Sequence, residues 1–149
     1  MVFQSRSAQE TFDFGKKIGE KCKGLRHPVL CLEGDLGTGK TVFAKGRARG
    51  LGVAEPVTSP TFTIVKSYVG DRVFHHFDVY RIADPAEMEE IGYEEYFYGD
   101  GVVLIEWAGK ISELLPPESI CITIEKDLKE GFDFRKIQVE GWEDENTGN

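Results

Sequence analysis

Continuous and alternating runs of apolar residues predict four strands. Residues 29–32 and 102–107 are mostly apolar, which is typical of strands that are buried on both faces of a sheet. Residues 120–125 and 134–139 alternate apolar with polar side chains, as strands with one buried face do. The pattern therefore predicts two fully buried and two half-buried strands.

Helical spacing of apolar residues is found before and between these runs. Residues 7–10 read Ser-Ala-Gln-Glu, which is a capping-box signature, and apolar or small residues then recur with helical spacing as far as Gly24. This pattern predicts an N-terminal helix. Three more helices are predicted along the chain, over residues 40–51, directly after residues 84–87, and over residues 109–115 before Pro116 and Pro117.

A glycine-rich segment lies between the first buried strand and the second helix. Residues 34–41 read GDLGTGKT, which fits the G-x-x-x-x-G-K-T pattern of a phosphate-binding loop. Glycines let successive backbone N–H groups point at phosphate oxygens, and the following helix adds the positive end of its dipole. In such a loop Lys40 reaches the β- and γ-phosphates and the Thr41 hydroxyl ligates Mg²⁺. The nucleotide-binding residues predicted here are Gly34, Asp35, Leu36, Gly37, Thr38, Gly39, Lys40, Thr41 and Val42.

The order of the elements predicts the fold class. Residues 61–69 and 72–78 are rich in residues that favour strands, and Gly70-Asp71 between them predicts a hairpin of antiparallel strands. Strands otherwise alternate with helices, as in α/β proteins. We expect an α/β fold in which residues 1–149 form a single P-loop nucleoside triphosphatase domain. Its sheet is mixed, with an antiparallel hairpin inserted after the P-loop helix and helices on both faces, and residues 143–149 form a disordered tail.

Two carboxylates stand at the ends of predicted strands. Glu106 follows the run VVLI, at the position where a P-loop enzyme carries the acidic residue that holds Mg²⁺. Asp78 ends the second strand of the hairpin, where it either holds a metal-bound water or orients the attacking one. The predicted catalytic residues are therefore Lys40, Asp78 and Glu106, and the predicted metal ligands are Thr41 and Glu106.

Several nearby residues are open to more than one interpretation. His75 and His76 are adjacent on a predicted strand, so their side chains point to opposite faces, and we interpret them as structural rather than as ligands of one metal. Arg81 either stabilises charge on the γ-phosphate or pairs with the acidic helix after it. Trp107 either stacks on a base or packs in the core. Thr61 is a weaker candidate for sensing the γ-phosphate.

Composition narrows the partners and the location. The net charge is −8 and the sequence pI is about 4.9, which opposes independent binding to nucleic acid, because that affinity depends on neutralising phosphates. Cys22, Cys31 and Cys121 form no C-x-x-C pair, so we interpret them as small core residues in a reducing cytosol. We expect no signal peptide, and no apolar run approaches the roughly 18 residues of a membrane span. We expect a cytoplasmic protein without membrane contact.

The class of nucleotide follows from a motif that the chain lacks. Asparagine occurs only at Asn146 and Asn149, so the N-K-x-D motif that reads guanine cannot form. Adenine is bound by shape and stacking, which leaves little trace in a sequence, so we expect ATP. Besides an ATPase, two other functions stay open at this point: a small-molecule phosphotransferase and a nucleotide-gated protein-binding module.

Four motifs follow one another along the chain: GDLGTGKT at 34–41, VTSPTF at 57–62, HFDVYR at 76–81 and IEWA at 105–108. In this order they resemble the bacterial TsaE (YjeE) family of ATPases, which act in tRNA threonylcarbamoyladenosine biosynthesis. The resemblance implies an ATPase that uses ATP and Mg²⁺ and is weak by itself. It also implies that hydrolysis resets a TsaB–TsaD protein complex, which transfers threonylcarbamoyl to the adenosine beside the anticodon of ANN-reading tRNAs. The chain would then contact tRNA only indirectly, through that complex.

The resemblance also implies roles for individual residues. It assigns Lys40 to the phosphates, Thr41 and Glu106 to Mg²⁺, and Asp78 to catalysis. It also places Trp107 near the nucleotide. Thr11 and Arg135 are placed near the nucleotide too, beside the adenine.

Overall fold

The structure, a computed structural model, describes residues 1–35, 37–60 and 63–142. The strands in these ranges are β1 Val2–Ser5, β2 Val29–Glu33, β3 Val65–Tyr68, β4 Phe74–Asp78, β5 Val102–Glu106, β6 Ile120–Lys126 and β7 Arg135–Glu140. The helices there are α1 Ala8–Cys22, α2 Lys40–Gly50, α3 Glu87–Glu90, α4 Tyr93–Phe97 and a 3₁₀ helix over Ala108–Leu114. Three predictions fall outside the described residues, namely Leu36, Thr61 and the tail at 143–149.

All seven strands belong to one mixed sheet, in the order β1-β7-β6-β2-β5-β4-β3. Strands β6, β2, β5 and β4 run parallel to one another. Strands β3, β7 and β1 pair antiparallel with their neighbours. The strands β2 and β5, which were predicted to be fully covered, lie in the middle of the sheet and are almost wholly buried. The predicted mixed α/β sheet is therefore confirmed.

Strands β3 and β4 form the predicted hairpin, but their connection is longer than the two-residue turn expected at Gly70-Asp71. Tyr68 pairs with Phe74, which leaves a five-residue connection. Within it, the N–H of Asp71 donates to the carbonyl oxygen of Leu51 at 2.7 Å instead of bridging the hairpin. The connection is thus held against the end of α2, and a tight turn does not form.

Helices cover both faces of the sheet, as predicted. On one face α1 and α2 pack over a core that includes Phe14, Phe43 and Ile122. On the other face the shorter helices enclose a second core, which includes Met88 and Phe97. Among the residues that the structure describes, no helix combines the length and apolarity that crossing a membrane requires.

Helices α1 and α2 approach closely because glycines line their contact. A Cβ atom added to Gly46 of α2 would collide with the carbonyl oxygen of Phe12, and one added to Gly19 of α1 would collide with the carbonyl oxygen of Arg47. Larger residues there would push the two backbones apart. The contact fixes α2, and with it the glycine-rich loop, against the N-terminal helix.

The start of the chain combines one confirmed prediction with one strand that the sequence analysis missed. Helix α1 begins at the predicted cap, Ser7, whose hydroxyl accepts a hydrogen bond from the N–H of Glu10 at 3.0 Å. Strand β1, which pairs antiparallel with β7, was not predicted. A four-residue edge strand has too few alternating positions to be recognised from its sequence.

The two short helices predicted in the second half of the chain are also present. The acidic one is divided into α3 and α4 at Gly92, which has a φ of 68°. The other, predicted over residues 109–115, is the 3₁₀ helix Ala108–Leu114. It ends one residue before the two prolines that were expected to stop it.

Candidate functional site

A cavity of about 480 Å³ opens at the carboxyl ends of the parallel strands β2, β4 and β5. Ligands of open α/β sheets bind at this edge. The cavity is lined by Ser7, Ala8, Thr11, Gly37, Thr38, Gly39, Lys40, Thr41, Val42, Ser59, Asp78, Glu106, Trp107, Asp133 and Arg135. It brings together most of the residues that the sequence predicts for nucleotide and metal.

The loop between β2 and α2 turns sharply at its glycines. Gly37 and Gly39 have φ values of 79° and 100°, which residues with a Cβ rarely adopt. The hydroxyl of Thr38 closes the turn by donating to the carbonyl oxygen of Asp35 at 2.8 Å. Because the N-cap of α2 is a glycine, no cap side chain competes for the first N–H groups of the helix, which can bind an anion. Two predicted loop residues, Gly34 and Asp35, line a neighbouring cleft instead of this cavity.

Lys40, the first residue of α2, is held inside the cavity by two neighbouring side chains. Only 8% of the residue is exposed. Its ammonium lies 4.5 Å from the centre of the Trp107 ring and 4.0 Å from Oε1 of Glu106. An aromatic face and a carboxylate together stabilise a buried cation. This arrangement provides a positive charge beside the loop that is predicted to bind phosphates.

Asp78 and Glu106 stand side by side, because they are paired residues of the adjacent parallel strands β4 and β5. Glu106 is buried, with 5% of the residue exposed. Burial raises the pKa of Asp78, and the negative charge of Glu106 raises it further. A hydrogen bond from the N–H of Tyr80 to Oδ1 of Asp78, at 3.0 Å, opposes this shift without cancelling it. Two neighbouring carboxylates repel each other unless a cation lies between or beside them.

The oxygen atoms at this wall suit Mg²⁺. Thr41 and Glu106 line the same cavity, and hydroxyl and carboxylate oxygens are the ligands that Mg²⁺ prefers. Oε1 of Glu106 is 4.0 Å from the ammonium of Lys40, which is too long for a hydrogen bond. That oxygen is therefore a suitable ligand for a hard cation.

His76 contacts the site, which the sequence analysis did not predict. The two adjacent histidines do point to opposite faces, as expected, so they cannot share one metal. His75 hydrogen-bonds Ser67 at 2.7 Å, whereas Nε2 of His76 lies 2.7 Å from Oε2 of Glu106. One signal in the sequence was available: residues two apart on a strand share a face, which places His76 on the same side as Asp78.

Thr11 and Arg135 line the cavity, but their polar groups are bound to other parts of the protein. The hydroxyl of Thr11 hydrogen-bonds the hydroxyl of Ser5 at 2.7 Å. The guanidinium of Arg135 donates from Nε to the carbonyl oxygen of Thr38 at 2.7 Å, and from Nη1 to the carbonyl oxygens of Phe132 and Phe134. Arg135 thus ties the glycine-rich loop to the segment before β7.

Trp107 lines both this cavity and a second one, whereas Arg81 lines only the second. The Trp107 ring contacts Tyr80, with ring centres 4.8 Å apart, as well as the ammonium of Lys40. It therefore forms part of the cavity wall. Arg81 lines a neighbouring cavity of about 610 Å³, which shares Ser59, Asp78 and Trp107 with the first.

The sheet, the loop and the buried lysine define the class of protein. A buried parallel strand leads through a glycine-rich loop into a helix that starts with Lys-Thr, and an acidic residue ends the adjacent strand. This is a P-loop nucleoside triphosphatase domain. More narrowly, the chain belongs to the TsaE family. The sequence model of that family, described as threonylcarbamoyl adenosine biosynthesis protein TsaE, matches residues 5–137. The resemblance inferred from the four motifs is confirmed.

Individual relatives agree with this family. A Bacillus subtilis protein is 53% identical over 110 residues, which cover 73% of this chain and 66% of that protein. A Treponema pallidum protein is 42% identical over 120 residues, covering 80% of this chain and 87% of the relative. Both are named tRNA threonylcarbamoyladenosine biosynthesis protein TsaE. The crystal structure of Bacillus subtilis YdiB superposes with a TM-score of 0.71 at 40% identity, covering 92% of this chain and 82% of that one.

Proposed function

We propose that this chain is a Mg²⁺-dependent ATPase that acts in the formation of threonylcarbamoyladenosine in tRNA. The observation that carries the proposal is the convergence of Lys40, Asp78 and Glu106 on one cavity beside the glycine-rich loop. A P-loop enzyme needs a cation for the phosphates, a carboxylate for the metal and a group that positions the attacking water. Membership of the TsaE family supplies the biological process.

Each side chain then has a defined role. The loop N–H groups and Lys40 bind the β- and γ-phosphates, and Thr41 and Glu106 hold Mg²⁺, which neutralises charge on the phosphates. Asp78 lies beside Glu106 at the cavity wall, where its carboxylate orients the attacking water. Its raised pKa favours acceptance of a proton from that water, while the water oxygen bonds to the γ-phosphorus, the bond from that phosphorus to the β–γ bridging oxygen breaks and ADP leaves with the bonding electrons. Trp107 shields Lys40 from solvent, while Thr11 and Arg135 border the side of the cavity next to α1.

The proposed partners are the TsaB–TsaD pair, with tRNA contacted through them, and the proposed location is the cytoplasm. The net charge of −8 disfavours direct binding to a polyanion, because phosphate neutralisation dominates such affinity. A partner that carries the tRNA removes this difficulty. We therefore propose that hydrolysis is slow in the isolated chain and that the protein pair accelerates it.

The test is steady-state ATP hydrolysis by the chain alone and with a TsaB–TsaD pair, with and without Mg²⁺. We expect marked stimulation by the pair. Lys40→Ala should abolish nucleotide binding, whereas Glu106→Ala and Asp78→Ala should retain binding and lower kcat by about 100-fold or more. Lys45→Ala is the matched control, since Lys45 is an exposed lysine on the same helix. Normal turnover in either acidic variant would contradict the roles given to these carboxylates.

A phosphotransferase is the second candidate, and one observation favours it. The neighbouring cavity of about 610 Å³ shares Ser59, Asp78 and Trp107 with the nucleotide cavity, so an acceptor molecule there would lie next to the γ-phosphate. Fast ATP consumption without partners, together with a phosphorylated small molecule as product, would support this function. Tight ATP binding without hydrolysis under any condition would instead indicate a nucleotide-gated binding module.

A further inference from the structure

We propose that His76 is a positioning residue, which holds one oxygen of Glu106 so that the other oxygen is presented to Mg²⁺. This inference rests on the proposed function, because it concerns the carboxylate that is assigned there to the metal. The imidazole does not touch the nucleotide cavity itself, whose lining includes Glu106 but not His76. His76 would therefore act entirely through Glu106.

The contact between the two side chains is short and shielded from water. Nε2 of His76 lies 2.7 Å from Oε2 of Glu106, and the two residues are 1% and 5% exposed. The imidazole stacks on the ring of Phe74, with ring centres 5.7 Å apart and planes 14° from parallel. Stacking fixes the plane of the imidazole, and the hydrogen bond then fixes the plane of the carboxylate.

The length of the glutamate side chain explains why such a support is needed. P-loop proteins commonly hold Mg²⁺ with an aspartate at the end of the second strand, and glutamate adds one rotatable bond. More rotatable bonds mean more freedom to lose when a ligand geometry is imposed. Because His76 binds Oε2, it selects one rotamer of Glu106. It also leaves Oε1 on the side of Lys40, at 4.0 Å from that ammonium.

Packing alone does not account for a histidine at this position. Within the described residues, the single hydrogen bond of the imidazole is the one to Glu106, and its Nδ1 is buried without a partner. A buried polar atom that lacks a hydrogen bond lowers stability, so an apolar residue would pack better on Phe74. The histidine is explained if its Nε2–H is required to donate to the carboxylate. Metal-ligating groups usually depend on such supporting hydrogen bonds.

The test compares two substitutions of His76 by amide side chains that differ only in length. In His76→Gln the amide nitrogen of the new side chain can occupy the place of Nε2, whereas the shorter side chain in His76→Asn stops near the place of Nδ1. Binding of a fluorescent ATP analogue is measured first in EDTA and then as Mg²⁺ is added, which gives the Mg²⁺ concentration at half-maximal change, the Mg²⁺ midpoint. The kcat and KM of ATP hydrolysis are then measured for each variant. His75→Gln is the matched control, because His75 is the adjacent histidine on the opposite face and bonds Ser67.

We expect Mg²⁺-free nucleotide binding to be unchanged in both amide variants. In His76→Asn the Mg²⁺ midpoint should rise and kcat should fall, each by about 10-fold or more, with little change in KM. His76→Gln should recover most of both losses, and His75→Gln should resemble the wild type. If His76→Asn does not fold, His76→Leu serves in its place, since leucine fills the space next to Phe74 and cannot donate.

The outcomes separate this inference from the proposed function. A wild-type chain that binds ATP equally with and without Mg²⁺ would overturn both. Mg²⁺-dependent binding in the wild type, together with equal Mg²⁺ midpoints in the Gln and Asn variants, would overturn the role of His76 alone. A parallel loss of Mg²⁺-free binding in both variants would also overturn it, because the residue would then support the fold rather than the carboxylate.

Discussion

The ammonium of Lys40 lies 4.5 Å from the centre of the Trp107 ring. Trp107 directly follows β5 and has a left-handed backbone, with a φ of 65°, which costs a residue with a bulky side chain conformational energy. The contact with Lys40 and the ring of Tyr80, 4.8 Å away, offset part of this cost. The lysine that is proposed to bind phosphates is thus held by an aromatic face until a ligand competes for it.

This contact predicts that Trp107 reports nucleotide binding. A phosphate group attracts the ammonium more strongly than an aromatic ring does, so ATP should draw Lys40 from the ring and change the emission of Trp107. The measurement is a fluorescence titration with ATP in a Trp142→Phe background, which leaves Trp107 as the single tryptophan. Lys40→Met should show, already without ATP, the emission that the parent reaches on binding ATP, because no ammonium then lies against the ring. An identical response in Lys40→Met and its parent would contradict the mechanism.

The raised pKa of Asp78 predicts a conflict between stability and function at this residue. Burial raises that pKa above its ordinary value of 3.8, so the folded state binds this proton more tightly than the unfolded state does. At a pH above the raised pKa the carboxylate is ionised in both states, and its ionisation then disfavours folding. Asp78→Asn keeps an oxygen that can accept from the N–H of Tyr80 but removes the charge. We expect its Tm at neutral pH to be above that of the wild type.

The dependence of this difference on pH provides the check. The stability cost of the charge is fully present above the raised pKa of Asp78, and it disappears as the pH falls toward and below 3.8. Thermal unfolding of both proteins between neutral and acidic pH should therefore show the two Tm values converging at low pH. Glu118→Gln, at an exposed carboxylate, should show no such gap at neutral pH. A Tm difference between Asp78→Asn and the wild type that widens at low pH would mean that folding lowers the pKa of Asp78 instead of raising it.

Local patterns in the sequence were sufficient to predict the centre of the fold and of the site. The glycine-rich loop is recognisable because its conformation depends on glycines within a few residues of one another, as at Gly37 and Gly39. Glu106 is recognisable because a wholly apolar strand leads to it. Such signals are complete within one segment. They therefore do not depend on which segments pack together.

Contacts between distant segments could not be predicted in this way. His76 and Glu106 are thirty residues apart in sequence, and only the parallel pairing of β4 with β5 brings them together. Arg135 donates to the carbonyl oxygen of Thr38 across 97 residues, so its role in holding the loop is visible only in the folded protein. The place of Thr11 and Arg135 beside the adenine stays a prediction, as do the catalytic roles.

The three cysteines are predicted to differ in reactivity. Burial raises the pKa of Cys22, and burial together with the neighbouring Cys121 raises the pKa of Cys31 to about 12. Both thiols are therefore protonated and unreactive near pH 8, because the thiolate is the nucleophile. Cys121 is exposed. Treatment of the native protein with iodoacetamide should label Cys121 alone, as read by mass spectrometry, whereas denatured protein should be labelled at all three positions. Native labelling of Cys121→Ser would contradict this account.

Arg47 is predicted to be a buried charge that the fold tolerates rather than needs. The residue lies on α2 and is fully buried, and this burial lowers the pKa of its guanidinium. Nη2 donates to the carbonyl oxygen of Val103 at 3.3 Å, and the guanidinium lies 5.2 Å from the centre of the Phe74 ring. Among the described residues, Nε and Nη1 have no hydrogen-bond partner by geometry, although the Cys22 thiol lies close enough to oppose part of this lowering of the pKa. The free-energy cost of removing this cation from water is larger than the stabilisation that these few contacts provide.

Two substitutions separate the charge of Arg47 from its volume. Arg47→Met keeps most of the buried chain and removes the charge, so it should raise the free energy of unfolding by about 1 kcal/mol. Arg47→Ala also leaves a cavity beneath α2 and should lower that free energy by about 2–4 kcal/mol. Urea denaturation measures both, with Arg49→Met, at an exposed arginine of the same helix, as the control. A loss of stability in Arg47→Met as large as that in Arg47→Ala would mean that the guanidinium itself supports α2 and the loop before it.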